Sequence, residues 1–188
     1  VRVFDMERQK PLQSSLVYRS PVFAVYEEEI TLPNGNIVKV SRIDHRRTVS
    51  VIPVKNNGSV VMIRQYRPAI GDYLLEIPAG RVNNKGESCE ECAQREMAEE
   101  TGYRAKKLVK LFEGYLVPGY GNEYMYYYLA IELYREPLPP DEDEYIEPLE
   151  MPMETVLQMV RKAGITDSKT ALGILMAADY LGHHRMLP

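Results

Sequence analysis

Within residues 20–43, SPVFAVYEEEITLPNGNIVKVSRI, two β-rich runs are separated by Pro33-Asn34-Gly35-Asn36. Proline presets the φ of a turn, and asparagine and glycine accept the positive φ that a tight reversal needs, so this stretch reads as a hairpin. The pattern recurs at once. TVSVIPVKNNGSVVMIRQYRP (48–68) holds two strands joined by Asn56-Asn57-Gly58, and Leu74 to Ile77 is a short apolar strand ending at Pro78-Ala79-Gly80. KKLVKLFEGYLVPG (106–119) and EYMYYYLAIELYRE (123–136) read as two more strands. Strand-and-turn units this closely spaced build a sheet, and any helix must pack around it.

Helical signals stand between and after these strands. In METVLQMVRKAG (153–164), Val156, Met159 and Val160 recur at helical spacing and Gly164 is a stop; DSKTALGILMAADYL (167–181) follows, with Asp167 or Ser168 as N-cap. The intervening PLPPDEDEYIEPLEMP (137–152) is rich in proline and acid and reads as an exposed loop without regular structure. The expected architecture is α+β: a mixed sheet between helices, residues 48–188, preceded by an antiparallel strand region, residues 1–47, that packs separately.

The remaining helix poses a chemical question. In CAQREMAEETGY (92–103), Glu96, Glu99 and Glu100 stand at i, i+3 and i+4, so three like charges leave one face. Ser88 followed by Glu91 fits a capping box, and Gly102 supplies a left-handed stop. Taken alone, the cluster reads either as a solvated acidic surface or as a binding site for a hard cation. Mg²⁺ takes oxygen ligands, keeps several waters, and commonly bridges one or two carboxylates to substrate phosphates. Other chemistries fit less well. The two cysteines, Cys89 and Cys92, lie among glutamates, and His45, His183 and His184 lack the paired spacing that would complete a zinc site. A net charge of −4 without a basic stripe argues against a nucleic-acid partner. No apolar run reaches the roughly 18–20 residues of a membrane span, and the charged N-terminus lacks the apolar middle of a secretory signal, so no membrane partner and a cytoplasmic location are expected.

The run Gly80, six residues, Glu87, seven residues, then Arg95-Glu96-Met97-Ala98-Glu99-Glu100-Thr101-Gly102-Tyr103 closely resembles the Nudix box of the Nudix hydrolases. The family's usual spacing from the first glycine to the first glutamate is five residues rather than six. The resemblance implies the Nudix fold and hydrolysis of a nucleoside diphosphate linked to another moiety, with Mg²⁺ as cofactor and Mn²⁺ as its substitute. It assigns the metal to Glu96, Glu100, Glu99 and the Ala79 carbonyl. Arg95 holds the glutamates by ion pairing, and Gly80, Glu87 and Gly102 are structural members of the motif.

Further stretches extend the resemblance to the ADP-ribose pyrophosphatase branch from about residue 16 to 182. They are VYRSPVFAVYEEEITLPNGNIVKV, VVMIRQYRPAIGDYLLEIPAG, VPGYGNEYMYYYLA and ITDSKTALGILMAA. That branch implies hydrolysis of ADP-ribose, or a related ADP-sugar, to AMP and ribose 5-phosphate, by a homodimer that exchanges its N-terminal strand region. Arg67 matches an arginine that contacts the diphosphate, and Glu123 a group that hydrogen-bonds the terminal ribose; Gly119 and Arg46 are further substrate-binding candidates. In the acidic loop, Glu142 matches the base that takes a proton from the attacking water and Glu144 a further metal contact, while Glu99 assists catalysis. The alternatives are another nucleoside diphosphate derivative (a nucleotide sugar, NADH or a diadenosine phosphate) and a non-catalytic ADP-ribose sensor.

Overall fold

The structure is a computed structural model that describes residues 10–83, 86–140 and 145–184. The chain divides into two compact units, residues 1–46 with 115–124, and residues 47–114 with 125–188.

The first unit is built on an antiparallel meander of β1 (Gln13–Arg19), β2 (Phe23–Thr31) and β3 (Ile37–His45). The hairpin between β2 and β3 pairs Thr31 with Ile37, and Gly35 takes φ +86° in the turn. Inside this unit Arg42 donates to both oxygens of buried Glu28, at 3.0 and 2.9 Å, and to Asp44 at 2.6 Å. The Arg42 bonds hold the Glu28 carboxyl below its ordinary range against the opposing effect of burial.

The second unit holds a four-stranded sheet and a three-stranded sheet. The first runs β7 (Ala79–Arg81), β4 (Thr48–Pro53), β9 (Tyr124–Arg135), β8 (Tyr103–Tyr115), with β4 antiparallel to β7 and parallel to β9. The second runs β10 (Ile146–Pro152), β5 (Ser59–Arg67), β6 (Asp72–Glu76), all antiparallel. Three helices accompany them: α1 (Cys89–Thr101), α2 (Met153–Arg161) and α3 (Ser168–His184). This mixed α+β arrangement is the fold expected from the sequence.

Every residue of β4 is buried, and its alternating side chains serve two cores. Val49 and Val51 pack with Cys92, Ala93 and Met97 of α1. Ile52, on the other face, packs with Ile77, Leu129, Val156 and Ile174, bringing in α2 and α3. The strand that carries the sheet is thereby sandwiched between helices. Among the described residues no helix is long and apolar enough to cross a membrane.

One expectation fails. Residues 146–152 are not loop but strand β10, paired with β5 from Ile146 opposite Gln65 to Pro152 opposite Ser59. Pro148 and Pro152 are tolerated because β10 lies at the sheet edge, where a missing N–H costs no second ladder bond.

Candidate metal and phosphate site

The glutamate helix begins and ends as its local sequence requires. Ser88 Oγ accepts from the Glu91 N–H at 3.2 Å while the Glu91 carboxylate accepts from the Ser88 N–H at 2.7 Å, a reciprocal capping box. At the far end Gly102 adopts φ +75°, where a side chain would be strained, and its N–H returns to the Ala98 carbonyl at 3.1 Å. Burial of Cys92, Ala93, Met97 and Ala98 then sets the rotation of the helix, which leaves Glu96 and Glu100 beside β7 and Glu99 within reach of Arg95. Burial also raises the Cys92 thiol well above its usual value, so this cysteine is an inert part of the core.

Three contacts dock the helix to the strand. Glu100, only 6% exposed, accepts from the Ala79 N–H at 3.0 Å. Arg95 donates to the Arg81 carbonyl at 3.1 Å. Gly80 lies so close to Glu96 that a Cβ built on it would stand 1.8 Å from the Glu96 carboxyl carbon. A side chain at position 80 would therefore displace the Glu96 carboxylate from its place against the strand.

Arg95 is the hub of the charges. It meets Glu87 through two bonds, at 2.7 and 3.1 Å, Glu96 at 2.8 Å and Glu99 at 2.9 Å. One cation faces three carboxylates. The Arg95 bond holds the Glu87 carboxyl below its ordinary range, and Glu87 in return raises the guanidinium. The Glu87 carboxylate also accepts from the Asn83 N–H at 2.7 Å, which ties the loop to the helix on either side of the extra residue in that loop; Asn84 and Lys85 lie outside the described residues.

Among the described residues, no three His, Cys, Asp or Glu side chains are already gathered as a closed metal cage. A hard divalent ion that keeps several waters does not need one. The donors suit such an ion, being carboxylates largely withdrawn from solvent beside a strand whose glycine admits close approach. Residues that could hold it are Glu96, Glu99, Glu100 and the Ala79 carbonyl.

Arg67, at the end of β5 in the same unit, is engaged by Glu76 at 2.6 and 2.7 Å and keeps 36% of its side chain exposed. Arg46, Gly119 and Glu123 belong to the first unit. Arg46 donates to the Pro21 carbonyl at 3.3 Å, Gly119 is exposed in a turn, and the Glu123 carboxylate is 3.9 Å from His45 Nδ1. Glu142 and Glu144 lie outside the described residues. Sequence reasoning missed Glu76, Lys169 and Thr170, which join Arg67 and Asp167 in one hydrogen-bonded cluster around the buried Glu76 carboxylate. The available signal was a glutamate inside the apolar run LLEIP.

The NUDIX domain model matches residues 44–170. The chain is 37% identical to "ADP-ribose pyrophosphatase" of Bacillus subtilis over 168 residues, covering 88% of this chain and 90% of that protein. It is 31% identical to "Methanol dehydrogenase activator" of Bacillus methanolicus, with the same coverage. A solved structure, "Crystal structure of ADP compounds hydrolase", matches with a TM-score of 0.83 at 24% identity, covering 96% of this chain and 98% of the other, a likeness of fold.

Proposed function

The chain belongs to the NUDIX family, and on that premise we propose that it hydrolyses ADP-ribose, or a related ADP-sugar, to AMP and ribose 5-phosphate. One observation carries the reading: Glu100 and Glu96 of α1 stand against Ala79 and Gly80 of β7, with Glu99 tied to Glu96 through Arg95, in a chain 37% identical to an ADP-ribose pyrophosphatase. Glu96, Glu99, Glu100 and the Ala79 carbonyl are the proposed ligands of Mg²⁺, for which Mn²⁺ would substitute. When bound, that ion would supply Lewis-acid charge to offset the diphosphate oxygens. Arg95 keeps Glu96 and Glu99 gathered through its ion pairs. The Arg67 guanidinium, planar and permanently charged, suits the diphosphate. Arg46, Gly119 and Glu123 are assigned to substrate by resemblance, as are Glu142, which would accept the proton of the attacking water, and Glu144, a further metal contact.

The test is hydrolysis of ADP-ribose at millimolar Mg²⁺, with ADP-glucose, NADH, diadenosine phosphates and nucleoside triphosphates in parallel. AMP and ribose 5-phosphate are expected, at the highest kcat/KM of the panel. Turnover of another member with none of ADP-ribose would keep the phosphate chemistry and discard this substrate. Binding of ADP-ribose with no turnover of anything would make the chain a sensor.

A homodimer formed through residues 1–47, exchanged between subunits, belongs to the same proposal. Its support is the edge strand β1, which leaves Leu16, Val17 and Tyr18 exposed, with Leu12 beside them. An open apolar edge is a surface that folded proteins cover or blunt with charge. Light scattering should give twice the monomer mass, and the double substitution Leu16→Lys, Val17→Lys should shift it toward monomer. A monomer mass for the unaltered chain at all working concentrations would refute the dimer.

A further inference from the structure

Glu76 ends β6 with 1% of its side chain exposed, and a carboxylate so enclosed is tolerated only with full compensation. Its Oε1 accepts from Arg67 Nε at 2.7 Å and its Oε2 from Arg67 Nη2 at 2.6 Å. Lys169, in the first turn of α3, also bonds Oε2, and its ammonium reaches Asp167 Oδ2 at 2.8 Å. Asp167 caps α3, accepting from the Thr170 N–H at 3.0 Å and from Thr170 Oγ1 at 2.5 Å. Thr170 Oγ1 in turn accepts from the Ile77 N–H at 2.9 Å. An unbroken chain of bonds thus runs from Arg67 to the backbone two residues before Ala79.

The charges of this cluster balance: two cations, Arg67 and Lys169, against two anions, Glu76 and Asp167. Lys169 is nearly as enclosed as Glu76, whereas Arg67 alone keeps a third of its side chain toward solvent. Without Lys169 the cluster, Arg67 included, would carry a net negative charge. That charge would draw the guanidinium inward and repel an incoming diphosphate. With Lys169 present, Glu76 fixes the guanidinium plane through two bonds without consuming its attraction for an anion.

We propose that Lys169 is a positioning residue for diphosphate binding, acting through Glu76 on Arg67. The proposal rests on the hydrolase reading given above and goes beyond it in assigning a role to the start of α3.

Lys169→Gln should raise KM for ADP-ribose about tenfold with kcat changed less than about threefold, the mark of lost binding rather than lost chemistry. Lys169→Arg, which keeps the charge, should restore KM to within about threefold of the unaltered enzyme. In an Arg67→Ala background, Lys169→Gln should add less than about twofold, because the two substitutions remove one interaction. Multiplying effects in the double variant, or a fall in kcat and thermal midpoint with KM unchanged, would reduce Lys169 to a structural brace. Should Lys169→Gln fail to fold, Lys169→Met takes its place. If the unaltered chain cleaves no ADP-sugar, the hydrolase reading falls on its own, and calorimetry with ADP in EDTA decides the Lys169 proposal. An affinity loss that disappears in the Arg67→Ala background keeps it, and an unchanged affinity overturns it.

Discussion

Glu100→Gln is expected to lower kcat for ADP-ribose by about a thousandfold or more while leaving the fold in place. Glu100 is 6% exposed in the last turn of α1, and its carboxylate accepts from the Ala79 N–H at 3.0 Å. Glutamine has the same shape and retains an oxygen that can accept that bond, so β7 stays docked. The negative charge is what disappears, and with it a ligand for a cation whose stabilisation of phosphate charge is worth several kcal/mol. The measurement is kcat at saturating substrate and millimolar Mg²⁺, beside the thermal midpoint in EDTA. Near-normal turnover would remove Glu100 from the metal site. A midpoint fall of many degrees would show that the carboxylate braces the strand.

Arg95→Met should cost about 3 kcal/mol of stability, because it strips the common partner from three largely enclosed carboxylates. Glu87, Glu96 and Glu99 meet Arg95 at 2.7, 2.8 and 2.9 Å and would face one another without a cation. For a chain of this size the loss corresponds to roughly 6–12 °C in thermal midpoint. The sign of a metal effect follows: a divalent ion offered to uncompensated carboxylates should stabilise the variant more than the unaltered protein. Thermal unfolding in EDTA and in millimolar Mg²⁺ reads both effects. A midpoint within a degree of the parent would mean that Arg95 spends as much in desolvation as it returns in pairing.

Methionine at position 95 also separates two roles that the sequence merges. The run REMAEE presents an arginine beside glutamates, which any exposed helix can do. Only the folded chain shows that this arginine also donates to the Arg81 carbonyl, joining the helix to the strand that carries Ala79 and Gly80.

Local signals were legible because local physics fixes them. Ser88 and Glu91 cap α1 through bonds across three residues, and Gly102 stops it through its own backbone preference. The turn at Pro33–Asn36 reverses the chain in the same self-contained way. Residues 146–152 were illegible for the converse reason. Their prolines oppose a strand locally, and only the neighbouring β5 supplies the bonds that make one. The burial of Glu76 has the same origin: Arg67, Lys169 and the backbone near Ile77 converge on it from distant parts of the chain.

Periodicity, caps and turns act within a few residues, and so the α+β class, the limits of the glutamate helix and the identity of its acidic face follow from the order of residues. Packing between distant segments brought the Glu96 carboxylate against Gly80, gave three glutamates one arginine anchored to a strand, and rested Arg67 on a buried carboxylate shared with α3. Each of those depends on distances between segments far apart in the chain, set by packing on both faces of β4.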